Sequence, residues 1–231
     1  MCTVTYVATS DKIFLTSNRD EKPHRRKADI TCMDLQPGSN KLLFPKDVDT
    51  GGSWIGLKDN GDAGVLLNGA FFSHQRNHAY RKSRGLVFLD IVGEDDPLKT
   101  FDAYDLDHIE PFTLILFVNK RLFECRWDGV EKFSKELDAA GAYIWSSATL
   151  YNEEVKKKRE KRFDAFLLRH PHSISNEILN FHNEDGLKVN LPGKIQTVSI
   201  TSIEISGTDI RLRYDEPIWN LEILEPVTCK P

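Results

Sequence analysis

Residues 4–21 read Val4-Thr5-Tyr6-Val7-Ala8-Thr9-Ser10-Asp11-Lys12-Ile13-Phe14-Leu15-Thr16-Ser17-Asn18-Arg19-Asp20-Glu21. Two β-branched or aromatic runs, 4–7 and 13–16, flank the polar trio Ser10-Asp11-Lys12, the pattern of two strands joined by a tight turn. Strands joined so closely pair antiparallel, because parallel neighbours need a crossover of roughly a dozen residues. The second run feeds into Asn18-Arg19-Asp20-Glu21. Polar side chains at the end of a buried strand combine rigidity with access, the two requirements of a site.

Further out, the same pattern returns. Gly51-Gly52-Ser53-Trp54-Ile55-Gly56-Leu57 and 63–69 flank Asn60-Gly61, a strong hairpin signal. Residues 113–118 and 122–127 flank Asn119-Lys120, residues 197–203 and 208–214 flank Ser206-Gly207, and 142–145 form one more short strand. Between these runs the period changes. Leu86, Val87, Leu89 and Val92 support a helix within 77–92, stopped by Asp95-Asp96-Pro97. Residues 152–169 form a second helix with Val155, Phe163, Phe166 and Leu167 on one side. Lys156-Lys157-Lys158-Arg159 and Lys161-Arg162 occupy the other as a solvated face, interrupted by Glu153, Glu154 and Glu160. A shorter helix capped by Ser173 or Ser175 runs on towards Gly186. No linker or repeat divides the chain, so one domain is expected over 1–231. Close hairpins favour antiparallel sheet covered by helices over a doubly wound parallel sheet.

The chain has 231 residues, 40% hydrophobic and 29% charged, with a net charge of -4. That balance is globular and gives no general attraction to nucleic acid. No apolar run reaches the roughly 18 to 20 residues that cross a bilayer, and the amino terminus has no secretory pattern, so a cytoplasmic protein without an integral membrane segment is expected. Cys2, Cys32, Cys125 and Cys229 form no C-x-x-C pair, and reduced thiols are expected in that compartment. His74 and His78 have helical spacing but are too few for tight metal binding. The glycines match no phosphate-binding loop. Neither metal nor cofactor is expected.

Cys2 carries the sharpest chemistry. Removal of Met1 would leave a thiol and a free α-amine, a nucleophile and a base on one residue, with reference pKa values of about 8.5 and about 7.7–8.0. The proposed hairpin brings Arg19 back beside residue 2, where a guanidinium favours the thiolate. Trp54, Phe71, Phe72 and Trp145 are candidate walls of an apolar pocket, although each is by type as much a core residue.

Met1-Cys2-Thr3, Asn18-Arg19-Asp20-Glu21, Gly52-Ser53-Trp54-Ile55-Gly56 and Asn68-Gly69 together resemble the NRDE family, also called the transport and Golgi organisation 2 family. Trp145-Ser146-Ser147-Ala148 is similar to its later Ser-Asn-Ala segment, with Ser147 where the asparagine stands. That family in turn resembles the amino-terminal-nucleophile hydrolases of the bile salt hydrolase and penicillin V acylase group. The resemblance implies an α+β fold, a four-layer αββα sandwich with two mainly antiparallel sheets between helical layers. It implies Cys2 as nucleophile, Arg19 beside it, Asp20 as the carboxylate holding the amine and Asn68 as the oxyanion-side amide, with Asn18, Glu21 and Ser147 in support. The implied activity is cleavage of the C–N bond of a small acyl-amide through a cysteine thioester. The alternative is a non-catalytic binding or trafficking protein for a hydrophobic metabolite, a lipid-like or a haem-like ligand.

Overall fold

The computed structural model describes residues 3–22, 24–35, 40–75, 79–171, 175–184, 186–191, 193–215 and 217. In chain order the first elements are β1 (Thr3–Ala8), β2 (Ile13–Glu21), β3 (Asp29–Asp34), β4 (Lys41–Lys46), β5 (Ile55–Lys58), β6 (Ala63–Asn68), α1 (Arg84–Val92) and α2 (Pro97–Ala103). They are followed by β7 (Phe112–Val118), β8 (Arg121–Trp127), β9 (Lys132–Leu137), β10 (Ala142–Ser146), α3 (Glu153–Arg169), α4 (Ser175–Asn183), β11 (Asn190–Leu191), β12 (Ile195–Ser206) and β13 (Asp209–Asp215). The described residues form two compact units, one up to Arg25 and from Ala140 to residue 217, the other from Arg26 to Ala139.

The first unit is organised by the opening hairpin. Its turn closes with Thr9 N–H on Lys12 O at 2.8 Å, and the register runs from Ala8 opposite Ile13 to Thr3 opposite Asn18. β10 pairs with the outer edge of β1 and β12 with β2, all antiparallel, giving the order β10-β1-β2-β12-β11 with β13 also on β12. Successive side chains alternate between faces. Val7 and Phe14, directly opposite each other, meet Phe163 and Phe166 of α3 and Ile178 and Phe181 of α4. Thr3, Thr5, Thr16 and Asn18 share that helix-covered face by alternation. Val4, Tyr6, Leu15, Ser17 and Arg19 turn to the other.

The second unit is a seven-stranded antiparallel sheet in the order β3 to β9, each strand beside its sequence neighbour. Asn119 and Lys120 both adopt positive φ, 52° and 61°, the geometry of a two-residue hairpin turn matched to strand twist. α1 and α2 bury Val87, Phe88, Ile91, Val92 and Phe101 against Leu42, Phe44, Leu66, Phe112, Leu114 and Leu116. Ser83 caps α1 by accepting from Leu86 N–H, so that helix starts later than the periodicity over 77–92 suggests. Asp96 caps α2 and Pro97 opens it. Asp95-Asp96-Pro97 therefore starts a second helix as well as ending the first, because proline is tolerated in the first turn, where its missing N–H has no partner to lose.

These two sheets, each with a pair of helices, bear out the expected α+β class of the αββα type. Strands β3, β4, β9 and β11 were not anticipated. Cys32 in β3 is disulfide-bonded, against the expectation of reduced thiols. Cys125 in β8 is free and buried, and burial pushes its thiol up to about 12. Among the described residues no helix is long and apolar enough to cross a membrane.

Candidate active site

Cys2 lies outside the described residues, which begin at Thr3. The tetrapeptide 18–21 ends β2, and strand alternation divides its side chains between two environments. Asn18 and Asp20 face the helices, whereas Arg19, 2% exposed, faces the other way. Glu21 is half-buried at the strand end, 3.8 Å from Arg25 Nε.

On the helix-covered face the polar groups form one connected set. Asn18 Nδ2 donates to His182 O at 3.1 Å and to Leu187 O at 3.4 Å. Its Oδ1 therefore faces His182 Nδ1 at 2.6 Å and accepts from it. That fixes the neutral tautomer, with His182 Nε2 accepting from Thr5 Oγ1 at 2.7 Å. Burial first, then the Arg159 charge, depress His182 to about 3. Asn18 is thus occupied in tying α4 to the sheet.

Asp20 Oδ1 accepts from Thr197 Oγ1 at 2.5 Å and Oδ2 from Tyr151 Oη at 2.6 Å. Thr197 stands opposite Asp20 because a bulge between Thr197 and Ser199 breaks the register of β12. Arg159, 2% exposed, lies 3.7 Å over the Tyr151 ring and donates to Thr3 Oγ1 at 2.6 Å, Gly186 O at 3.1 Å and Leu187 O at 3.2 Å. The basic run of α3 is not wholly a solvated face. Arg159 sits four residues after Val155 and four before Phe163, so helical periodicity places it on the apolar stripe.

On the opposite face Ser199 stands opposite Arg19, and the next row holds Trp145, Val4, Ser17 and Thr201. The hydroxyls of Ser17, Ser199 and Thr201 are buried without a hydrogen-bond partner. Trp145 is half-buried and stacks on Tyr143 with centroids 5.7 Å apart. Ser147 is buried, with Oγ 3.1 Å from Thr149 Oγ1 and accepting from Thr149 N–H, so it shapes the turn that follows β10.

The remaining expected residues belong to the second unit. Asn68 ends β6 opposite Phe112 and is partly buried. Trp54 is buried, and Ser53 Oγ donates towards Pro45 O at 2.8 Å and Ile55 O at 3.0 Å. A Cβ on Gly52 would fall 2.6 Å from Gly85 C, so the Gly-Ser-Trp segment seats the start of α1 by close backbone approach. Phe71 meets Phe133 edge-to-face at 5.1 Å and lies under Arg126, while Phe72 is 84% exposed. His78 lies outside the described residues. Among those described no group of three or more His, Cys, Asp or Glu side chains is placed to hold a metal.

Tyr151, Arg159, Thr197 and His182 were missed from the sequence. Only Arg159 carried a local signal, its spacing from Val155 and Phe163; the others are joined to residues 5, 18 and 20 by pairings over more than a hundred positions.

The family model described as Transport and Golgi organisation 2 matches residues 1–196. No curated protein matches the chain by sequence. Among solved structures, a Caenorhabditis elegans orthologue of N-acylethanolamine-hydrolyzing acid amidase is similar with a TM-score of 0.64 at 11% identity, covering 87% of this chain and 92% of that one. Two variants of conjugated bile acid hydrolase from Clostridium perfringens, one with an arginine replaced by leucine and one with a cysteine replaced by alanine, both reach 0.55. Their identities are 8% and 9%, with coverage of 93% and 100% of this chain and 92% and 97% of theirs.

Proposed function

The chain belongs to the Transport and Golgi organisation 2 family, and from that premise we propose that it is an amidohydrolase that cleaves a small acyl-amide with Cys2 as nucleophile. The observation that carries the reading is the hairpin register. Thr3 pairs with Asn18, so that Arg19 is the next residue of β2 beyond the partner of Thr3, the residue that follows Cys2 in the sequence. A guanidinium beside a thiol favours the thiolate. The fold shared with two kinds of amide hydrolase supports a carbonyl as the target.

Once Met1 is removed, the α-amine of Cys2 takes the thiol proton and sulfur attacks the amide carbonyl, forming a tetrahedral oxyanion. The amine returns the proton to the leaving nitrogen as the C–N bond breaks, and water then hydrolyses the acyl thioester. Asp20, held by Tyr151 and Thr197, keeps the amine oriented. Asn68 is the oxyanion donor by resemblance to the family pattern. Its loss in Asn68→Ala is expected to lower kcat by about 10²–10³.

The deciding experiment is a screen of N-acyl amides with protein confirmed by intact mass to lack Met1, run beside Cys2→Ala. Turnover that disappears in Cys2→Ala is the expected result. Turnover that persists unchanged removes Cys2 as nucleophile.

A further inference from the structure

We propose that Tyr151 and Arg159 are positioning residues for the amino-terminal nucleophile, holding Asp20 and Thr3 in one buried chain of contacts. The proposal rests on the reading in which the Cys2 amine is the base. The contacts run without a gap from Thr197 Oγ1 to Asp20 Oδ1 at 2.5 Å, from Asp20 Oδ2 to Tyr151 Oη at 2.6 Å, from the Tyr151 ring to the Arg159 guanidinium at 3.7 Å, and from Arg159 Nη1 to Thr3 Oγ1 at 2.6 Å. Thr3 is joined by one peptide bond to Cys2. The carboxylate assigned to the amine and the residue adjoining that amine are therefore fixed to the same two side chains.

The chemistry of the set exceeds what packing requires. Among the described residues the hydrogen-bond acceptors of Arg159 are two backbone carbonyls and a threonine hydroxyl, with the Tyr151 ring beneath it: a buried cation held by neutral groups. Burying a charge without an opposite charge in contact is costly, and an apolar residue of similar length would fill the α3 stripe at less cost. The nearest use for the cation is through Tyr151. A cation over the ring draws electron density from the phenol and strengthens its O–H as a donor to Asp20. The other charged or titratable groups nearby do not substitute for it. His182 is held neutral, Arg19 points to the opposite face, and Glu21 is turned to Arg25.

The test uses the full chain lacking Met1 and follows alkylation of Cys2 by iodoacetamide against pH, with the site confirmed by peptide mass. Tyr151→Phe deletes one hydroxyl. The negative charge of Asp20 is then less offset by hydrogen bonding and favours protons on the Cys2 amine and thiol to higher pH. The midpoint is expected to rise by at least about half a pH unit, a rate roughly threefold lower below the midpoint. Arg159→Gln is expected to shift it in the same direction, and Arg159→Lys, which keeps the charge, to lie nearer wild type. Folding is checked by thermal midpoint, and Tyr151→Phe decides if Arg159→Gln does not fold. A lowered wild-type midpoint that the folded variants leave in place overturns this proposal alone. A wild-type Cys2 that titrates as an ordinary thiol overturns it together with the nucleophile reading.

Discussion

His182 shows how one buried side chain sets a pH dependence for the fold. Its ring is fully enclosed, donates through Nδ1 to Asn18 and accepts at Nε2 from Thr5, so both nitrogens are satisfied in the neutral form. Protonation would bury a charge and set it as a second cation near Arg159. Its folded pKa of about 3 lies below the ordinary 6.5, so between those values the unfolded chain takes up a proton that the native state refuses. Stability from this residue is complete above pH 6.5. It falls by at most about 1.4 kcal/mol per pH unit as pH drops from 6.5 towards 3. Urea unfolding at pH 7 and at pH 5 should show that loss, and His182→Gln should flatten the slope while lowering stability at pH 7. An unchanged slope in the variant would exclude His182 as its source. The sequence showed His182 only as a residue of a short apolar helix. Its role depends on Thr5 and Asn18, far away in the chain.

At the scale of elements, two close fits are open to test. Gly52 meets Gly85 backbone to backbone where the segment before β5 meets the first turn of α1, and neither side can yield by turning a rotamer. Gly52→Ala is expected to destabilise by about 1–3 kcal/mol, read as a lowered urea midpoint. Gly193→Ala, with open space around its Cβ but φ at +70°, should show only the smaller cost of backbone strain. The hydroxyl face of β2 and β12 behaves in the opposite sense. Thr201 Oγ1 is buried with no partner, so Thr201→Val, which keeps the β-branched shape, should leave stability unchanged or raise it by up to about 1 kcal/mol. A marked loss would mean that the hydroxyl is bonded in solution.

Elements were legible where local chemistry decided them. Asn60-Gly61 and Asn119-Lys120 mark hairpins because glycine and asparagine tolerate the positive φ found at Gly61 and Asn119, and Asn152 marks the start of α3 because its side chain caps Val155 N–H. β9 escaped notice because Lys132-Phe133-Ser134-Lys135-Glu136-Leu137 is a mostly exposed edge strand with little apolar pattern. β4 escaped because Pro45 near its end argues against a strand.

For the whole molecule, the decisive feature is that the sheet behind residues 18–20 is built from both ends of the chain. β1 and β2 come from the first 21 residues, yet β2 is flanked on its other side by β12, whose partners lie about 180 positions later. Local patterns identify strands but not such pairings, because closing a long loop leaves no mark in either segment. Hence the pairing of β1 with β2, Thr3 opposite Asn18 included, follows from the hairpin, whereas Thr197 opposite Asp20 and Ser199 opposite Arg19 could not be foreseen. The family match ends at residue 196, just inside β12, and so leaves out most of a strand on which the site depends. A chain cut after 196 would lose Thr197, one of the two donors to Asp20, and leave the backbone edge of β2 open where its central position now gives it two neighbours. Such a truncation is expected to be aggregated or rapidly proteolysed, and its Cys2 to alkylate like an ordinary thiol. A truncated protein that stays monomeric by size exclusion and retains the full-length alkylation profile would show that the candidate site is complete without β12.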